Sequence, residues 1–242
     1  MVAACLSVTV YLHLEPKFKC DTTALHGELV LIISDLHVHP SWPILDLRMA
    51  RVVRSARKKW PTLNGTIVLG DLMHWAGGLT FPQRNLSSGM WHDMVARVKA
   101  IVNDPNAIYI PGNHDLNDTI TRRWISAFGS YDTNAFLFNN VTTYLASSMA
   151  PRVHNSSVVL SHYPITSAND PLWHPGLRLS LNGHLHRKEF RHFNGTRQYT
   201  ASTLNEFQAI SNNHFDGSGQ QGISLMDASL RVRTCDVYTL YT

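Results

Sequence analysis

Several features that would place a protein in a class at once are missing from this sequence. None of its 242 residues lie in a run approaching about 18 consecutive apolar residues, which predicts no complete membrane-spanning helix. Charged residues make up only 16% of the chain, and the formal net charge is +4. The densest basic run, residues 48–59, is typical of a solvated helix face. The charge therefore gives no strong signal for nucleic-acid binding.

Cysteine is also scarce. The three cysteines, Cys5, Cys20 and Cys235, are too few and too scattered for a zinc motif or a disulfide framework. They are compatible with one disulfide and one free thiol. The composition thus excludes the small disulfide-rich class of proteins.

Histidine is what the sequence has in excess, with 14 residues. Imidazole is the commonest metal ligand in proteins and a frequent general acid, so the positions of these residues matter most. The hydrophobic content of 44% is sufficient for a folded core. No repeat or linker divides the chain, which predicts one domain over residues 28–242 after an N-terminal segment, residues 1–27.

The N-terminal residues leave three interpretations open. Residues 1–14 are mostly apolar but carry no basic residue before the apolar run, so a signal sequence, the end of a membrane anchor and an edge strand all fit. Six triplets fit the N-glycosylation pattern, where roughly two or three would occur by chance. Their acceptors are Asn64, Asn85, Asn117, Asn140, Asn155 and Asn194. The excess favours a secretory-pathway protein, lumenal or extracellular, with membrane proximity through its N-terminus; clustering of Asn, Ser and Thr in loops is the alternative.

Apolar patterning over the first half of the chain alternates between strands and helices. Residues 28–34, 66–69 and 107–110 are continuous apolar runs, typical of strands buried on both faces. Residues 43–60, with apolar side chains at Ile44, Leu47, Val52 and Val53, predict an amphipathic helix that Pro61 ends. Residues 91–102 predict a second helix. This alternation predicts an α/β sheet covered on both sides.

The second half of the chain is richer in strands. Residues 141–147 and 157–160 predict two strands with only nine residues between them, fewer than the ten to twelve or so that a parallel crossover needs. We therefore expect these two strands to pair in another way. The C-terminal third predicts a second, more antiparallel sheet. Two mixed sheets packed face to face, with helices outside, would form a four-layer α/β/β/α sandwich.

Polar residues follow five of the predicted strands. They are Asp35 and His37; Asp71; Asn113, His114 and Asp115; His162; and His184 and His186. Because ligands of α/β sheets bind at the carboxyl ends of the strands, we expect these five segments to converge. Two carboxylates, several imidazoles and an amide oxygen suit hard-to-borderline divalent cations. The Asp35/His37 and Asp71 segments alone are most often ordinary turns, but the Gly-Asn-His-Asp segment at residues 112–115 is rare by chance, and five such segments in order are not turns alone.

The spacing within these segments favours a shared cavity. In an extended segment, residues i and i+2 point the same way, about 6.6 Å apart, which would aim both members of the Asp35/His37 and His184/His186 pairs at one cavity. Two metal ions about 3.5–4 Å apart would fit there, with Asp71 as the natural bridge. Glycines at positions 70, 112 and 183 would let the backbone turn sharply and approach closely.

The five motifs together resemble the signature of the calcineurin-like metallophosphoesterase superfamily: DxH, GD, GNHD, a single His, and GHxH, from Asp35 to His186. The resemblance implies hydrolysis of phosphate mono- or diesters by a hydroxide that bridges two metal ions of the Mn, Fe or Zn class. It further implies three groups of ligands. The first metal would take Asp35, His37 and His186; the second would take Asn113, His162 and His184; and Asp71 would bridge them. His114 would protonate the leaving oxygen or stabilise the phosphoryl charge, with Asp115 orienting and charging its imidazole.

The chain departs from this family in three ways. The residues between 147 and 157 leave room for a loop where many relatives have a long helix, which leaves a sheet edge uncovered. His74 stands where purple acid phosphatases have a tyrosine, so a tyrosinate-bound iron is not expected. No long cap domain is present, so loops must provide the specificity. Four tryptophans in these loops either close them over the core or form a platform for a substrate; they are Trp42, Trp75, Trp91 and Trp173.

Two other functions compete with a phosphoesterase. The fold also serves as an inactive scaffold for protein interaction, but a scaffold has no chemical need for His114 and Asp115. A nuclease would require a basic stripe or groove, and the sequence shows neither. The sequence therefore favours an enzyme that acts on a phosphoester substrate; it does not identify that substrate or the oligomeric state.

Overall fold

The computed structural model describes residues 15–41, 43–74, 87–115, 121–131, 133–137, 141–146, 156–205 and 221–238. Predictions for residues 1–14, Trp42 and Trp75 lie outside these ranges. Within them the chain forms β1 (Lys17–Lys19), β2 (Leu29–Ile33), α1 (Pro43–Lys59), β3 (Leu63–Leu69), α2 (Ser88–Val102), β4 (Ile108–Ile110), α3 (Thr121–Phe128), β5 (Thr133–Leu137), β6 (Val141–Ala146), β7 (Val158–Ser161), β8 (Leu179–Asn182), β9 (Glu189–Phe193), β10 (Thr196–Thr200), β11 (Gly222–Asp227) and β12 (Val232–Tyr238).

The first sheet has the strand order β1-β12-β11-β2-β3-β4. Its strands β2, β3 and β4 pair in parallel, as their continuous apolar runs predict, whereas β11 runs antiparallel to β2. The expectation that the C-terminal strands all belong to the second sheet is wrong for β11 and β12. Strand β11 is buried at all six residues, with Leu225 towards the helices and Met226 towards the other sheet, so it lies inside the first sheet.

The second sheet has the order β5-β6-β7-β8-β10-β9. Its four central strands pair in parallel, and only the β5–β6 and β9–β10 pairs at its edges are antiparallel. The predictions of a more antiparallel sheet and of a non-parallel β6–β7 pair are therefore wrong. Strand β6 ends at Ala146 and β7 begins at Val158, so eleven residues connect them, enough for a parallel crossover.

Two packed sheets with helices outside confirm the predicted sandwich architecture. The three described helices pack on the outer face of the first sheet, and a second apolar layer lies between the sheets. On the outer face of the second sheet, the described residues that cover Val159 belong to the β7–β8 connection: Ile165, Leu172 and Leu177.

Helix α1 buries a different face from the one predicted. Its buried stripe is Met49, Val52, Val53 and Ala56, which follows the i, i+3, i+4, i+7 spacing of a helix face. Ile44 and Leu47 lie off this stripe and are exposed, at 42% and 60%. The predicted apolar face is correct only for its second half.

A disulfide joins Cys20, directly after β1, to Cys235 in β12. It reinforces the antiparallel β1–β12 pair at the edge of the first sheet. No helix among the described residues is both long and apolar enough to cross a membrane.

Candidate metal centre

The two sheets bring all five polar segments to one edge. Strands β2, β3 and β4 are parallel and so present Asp35, Asp71 and Asn113 side by side at their carboxyl ends. Strands β7 and β8 are parallel as well and present His162 and His184. The two sheets contact here, because the Leu69 carbonyl at the end of β3 lies 2.9 Å from Nδ1 of His162. The predicted convergence is present.

A first group of metal-ligand type contains Asp35, His37, Asp71 and His186, with one donor atom from each within 4.8 Å of the others. Nε2 of His37 lies 3.2 Å from Nε2 of His186 and 3.7 Å from Oδ2 of Asp71. Oδ1 of Asp35 lies 3.3 Å from Nε2 of His186. Two carboxylates and two imidazoles thus face one small volume.

A second group contains Asp71, His162 and His184. Nε2 of His162 lies 3.4 Å from Oδ2 of Asp71 and 3.2 Å from Nδ1 of His184. The amide oxygen of Asn113 lies 3.0 Å from the same Nε2. Asp71 is common to both groups, which is the position that a bridging carboxylate requires.

The carboxylates of the two groups each divide their oxygens between the protein and the cluster. Oδ1 of Asp71 accepts the backbone N–H of His114 at 2.9 Å, which leaves Oδ2 facing the histidines. Oδ2 of Asp35 accepts the hydroxyl of Ser34 and the backbone N–H of His184, which leaves Oδ1 facing His186.

His162 follows the same rule. Its Nδ1–H donates to the Leu69 carbonyl, so Nε2 is the nitrogen that faces the cluster. Orientation of ligands by such outer contacts is typical of metal sites. The residues present therefore fit transition-metal ions in both their chemistry and their orientation.

The predicted close approach of glycine backbone is present at all three positions, and a Cβ at Gly70 would collide with the ring of His162. A Cβ at Gly112 would collide with the carboxylate of Asp71, and a Cβ at Gly183 would collide with Ser34 and crowd Asp35. Any side chain at either position would displace a residue of the cluster.

The backbone at the site is left-handed where the sequence predicted extended segments. Asp35, His37, Asp71, His184 and His186 have φ values of 54°, 45°, 49°, 70° and 52°. The extended geometry assumed for the two DxH-type pairs is therefore wrong, although both members of each pair face the cavity. A non-glycine residue in this region costs about 1–3 kcal/mol, and such strain concentrates at functional sites.

Electrostatics at the site keep the buried carboxylates charged. Burial opposes ionisation of Asp35 and Asp71, but the neighbouring histidines outweigh it and hold the pKa of each carboxyl below its usual value. Burial also lowers the pKa of His37, to about 3. For His162 burial acts in the same direction, but Asp71 outweighs it and raises the pKa to about 9. Two ionised carboxylates buried this close together require cationic partners.

His114 lies outside the two groups that share Asp71. Its Nδ1 lies 3.3 Å from the carbonyl oxygen of His74, and its Nε2 lies 4.0 Å from Oδ2 of Asp71. Its side chain is 25% exposed. The imidazole is thus placed on the open side of the cluster, with Nε2 turned towards it.

Asp115 does not contact that imidazole, so the predicted orienting contact is wrong. Its carboxylate accepts backbone N–H groups from Leu72, Met73 and Gly112 at 2.8–3.0 Å. Burial raises the pKa of Asp115 to about 7, against the effect of these three donors. Asp115 therefore connects the loop after β4 to the loop after β3. The partner of the His114 imidazole, which was predicted to be Asp115, is instead the carbonyl of His74.

Two contacts of the site were missed by sequence reasoning. His74 was noted only as a departure from a related family, although its position three residues after Asp71 is a usable signal. The Tyr163 ring packs 4.3 Å from that of His184, between ring centroids, and nothing in the sequence singles it out beyond its place next to His162.

The described tryptophans belong to apolar layers. Trp91 is buried in the layer between the helices and the first sheet, and Trp173 packs against Phe193 outside the second sheet. Both therefore close the structure over its core, and the suggested substrate platform does not include Trp91.

Comparison with solved structures finds similar chains of low identity. An archaeal phosphodiesterase is 12% identical, with 88% of this chain and 99% of that chain covered and a TM-score of 0.46. A metallophosphoesterase from Sphaerobacter thermophilus is 15% identical, with 90% of each chain covered and a TM-score of 0.47. Vps29 from Entamoeba histolytica in complex with zinc is 13% identical, with 88% and 93% covered and a TM-score of 0.42. At this level we transfer no activity, metal or partner.

Comparison of the sequence with curated proteins gives no match. Comparison with protein families does: the calcineurin-like phosphoesterase family matches residues 29–188, which is more than half of the chain and includes every residue of the two groups. Members of this family are metal-dependent hydrolases of phosphoester bonds, and the clustered carboxylates and imidazoles supply the ligands that such an enzyme needs. The chain therefore belongs to the calcineurin-like phosphoesterase family and is a metal-dependent phosphoesterase.

Proposed function

We propose that the chain hydrolyses phosphate mono- or diesters at a centre of two metal ions. Asp35, His37 and His186 would hold the first ion; Asn113, His162 and His184 would hold the second; and Asp71 would bridge them. The observation that carries this proposal is the sharing of Asp71 by both ligand groups, with one of its oxygens fixed by the protein and the other left for the ions.

Metal ions bound there would supply Lewis-acid charge that neutralises the phosphoryl group and makes water a nucleophile near neutral pH. The mixed donor set of imidazoles, carboxylates and an amide oxygen supports the Mn, Fe or Zn class rather than Ca or Mg, which are bound by oxygen atoms alone. The protein itself contributes rigidity, because the side chains of Asp35, Asp71 and His162 are each held by a backbone or hydroxyl contact.

His114 would act on the leaving group. Its partly exposed imidazole lies on the open side of the cluster, where a substrate enters, and the His74 carbonyl accepts its Nδ1–H. That contact leaves Nε2 as the atom that carries or loses the transferred proton. Asp115 is a positioning residue in this scheme, since it fixes the two loops that place His114 and Asp71.

We also propose a secretory-pathway location for the chain, lumenal or extracellular. The Cys20–Cys235 disulfide supports an oxidising compartment. Asn64 and Asn194 are exposed, as glycan acceptors must be, whereas the other four acceptors lie outside the described residues. Glycosidase treatment of protein from a eukaryotic host should lower its apparent mass; an unchanged mass together with recovery from the cytosol would contradict this location.

The same proposal includes membrane proximity through the N-terminus. The carboxylate of Glu15, which follows the apolar residues 1–14 in the sequence, accepts the hydroxyl of Ser55 at 2.9 Å beside Lys58 and Lys59 of α1. Partition of the full chain into the membrane fraction, but not of a chain lacking residues 1–14, is the expected result.

The activity is tested by metal replacement and a substrate panel. Protein stripped with a chelator should turn over no ester, and reloading with two equivalents of Mn, Fe or Zn should restore turnover of a phosphomonoester, a phosphodiester or a pyrophosphate. An inactive scaffold would bind metal but leave all three substrate classes intact. Fewer than two bound ions in a fully active enzyme would exclude the dinuclear centre.

A further inference from the structure

A third group of imidazoles lies beside the centre, and only one of its members, His37, belongs to the seven proposed ligands. His37, His74 and His114 each offer a nitrogen within 4.8 Å of the other two. The rings of His74 and His114 are stacked at a centroid distance of 5.7 Å and an angle of 14°. His37 faces His74 and His114 edge-on at 5.5 and 5.0 Å. The proposed function uses His37 and His114 but gives no role to the side chain of His74.

The backbone around this cluster is held rigidly. The loop after β2 and the loop after β3 pair with each other, because the N–H groups of His37 and Val38 donate to the carbonyls of Asp71 and Leu72. The N–H of His74 donates in turn to the Val38 carbonyl at 3.1 Å. Asp115 holds the same loop from the other side. The His74 side chain is therefore projected from a fixed backbone, which favours binding of a ligand without a loop movement.

The imidazoles of His74 and His114 would favour some metal ions over others. His74 and His114 are both partly exposed, so a hydrated ion can reach them from solvent. A pair of imidazoles suits Zn, Cu or Ni, whereas Mg, Ca and Mn prefer oxygen ligands. Because His37 already faces Asp71 and His186 through Nε2, it cannot give that nitrogen to a second ion.

We infer that His74 and His114 form an accessory site for a zinc-class cation next to the dinuclear centre. This inference rests on the proposed function, because it takes the leaving-group acid as one of its ligands. An ion coordinated by His114 removes the lone pair that would carry the transferred proton. Excess zinc therefore inhibits the enzyme by occupying its acid, not by displacing the two catalytic ions.

Zinc binding to the holoenzyme tests the site directly. Enzyme loaded with two equivalents of zinc is dialysed against rising zinc, and bound metal is counted for wild type, His74→Asn and the control His192→Asn, an exposed histidine of β9. Wild type and the control should take up a third, weaker equivalent. His74→Asn should keep two equivalents and bind the third at least about tenfold more weakly, as expected for loss of a ligand. Since the hydrogen bonds of His74 with Val38 and His114 are made by its backbone atoms, the variant should fold.

Kinetics supply the second readout. Excess zinc should slow wild-type turnover of esters with poor leaving groups more than that of nitrophenyl esters, relative to turnover at two equivalents. His74→Asn should lose this inhibition at the same zinc concentrations. Equal uptake of a third equivalent by wild type and His74→Asn, no third equivalent in wild type, or release of one of the first two ions on adding zinc would each overturn the accessory site. Absence of two tight equivalents in wild type would instead count against the dinuclear centre.

Discussion

The two walls of the metal centre differ in how the protein holds them. The inner wall, formed by Asp35, Asp71 and His162, is 0–1% exposed. Each of its side chains is fixed by a backbone or hydroxyl contact from a strand end. The outer wall, formed by His114, His184 and His186, is partly exposed.

This difference separates two tasks. A substitution in the buried inner wall would leave a charged partner uncompensated in the interior. We therefore expect the inner wall to control metal retention and folding. In the open wall, His184 and His186 are also proposed ligands, whereas His114 contacts whatever enters the site and so controls turnover. Four variants test this division, in order of falling effect on turnover. The first two change a residue of each wall, and the last two change residues outside both walls.

The largest effect is expected from Asp71→Asn in the inner wall. Loss of the shared carboxylate weakens both ligand groups, so bound metal should fall well below two ions per chain and turnover should be abolished. Metal analysis of the purified variant checks this, with Asp236→Asn, a surface partner of Lys188, as the matched control. Full occupancy with full activity would remove Asp71 from the bridging position.

His114→Ala in the outer wall should leave metal content and folding nearly intact. Turnover of esters with poor leaving groups should fall by about 10²–10⁴-fold, the usual range for a lost general acid. Nitrophenyl esters need less protonation and should lose less, and His192→Ala should lose nothing. An equal loss for both ester classes would indicate phosphoryl-charge stabilisation, and loss of metal would make His114 a ligand.

Asp115→Asn distinguishes the observed role of Asp115 from the one predicted for it. Three backbone N–H groups donate to its two oxygens, and an amide would turn an N–H₂ group towards at least one of them. We expect the free energy of unfolding to fall by about 1–3 kcal/mol, measured by urea denaturation. Asp21→Asn, an exposed carboxylate that accepts the local N–H of Thr23, is the control and should change it little. If Asp115→Asn had unchanged stability but the same kinetic profile as His114→Ala, the predicted role of Asp115 in orienting His114 would be correct after all.

The double substitution of Cys20 and Cys235 by serine should affect stability and spare turnover. The bridge lies in β12 and beside β1, separated from β2 by β11, so it does not touch the ligand-bearing strand ends. Loss of a native disulfide typically costs about 2–5 kcal/mol, which a denaturation midpoint would detect. Cys5→Ser should change neither quantity. A fall in turnover at temperatures where the variant is fully folded would connect this edge of the sheet to the site.

The candidate ligands could be predicted from the sequence because each of them closely follows a strand that the sequence also predicts. Continuous apolar runs mark strands such as β2 and β3, and the polar residue that follows each run is carried to the same edge by parallel pairing. Family resemblance then ordered the ligands. Asp35, Asp71 and His162 were predicted in this way, each from the apolar strand that precedes it.

The remaining features depend on partners that no local pattern encodes. The place of β11 beside β2 follows from burial on both faces, and an apolar run is compatible with either sheet. The partners of Asp115 are backbone N–H groups, which every residue possesses and which leave no trace in side-chain patterns. The left-handed backbone at Asp35 and His37 arises from the paired loops around them. For β6 and β7, an error of one or two residues in the strand ends reversed the expected pairing.

The Cys20–Cys235 bridge also imposes an order in time on the synthesis of the chain. Its two cysteines are 215 residues apart. At about 5–20 residues per second, Cys20 waits roughly 10–40 s for the ribosome to deliver its partner. During that interval the ribosome has already synthesised one other cysteine of this sequence, Cys5, which lies fifteen residues before Cys20. An early Cys5–Cys20 bond would have to be exchanged before the Cys20–Cys235 bridge could form.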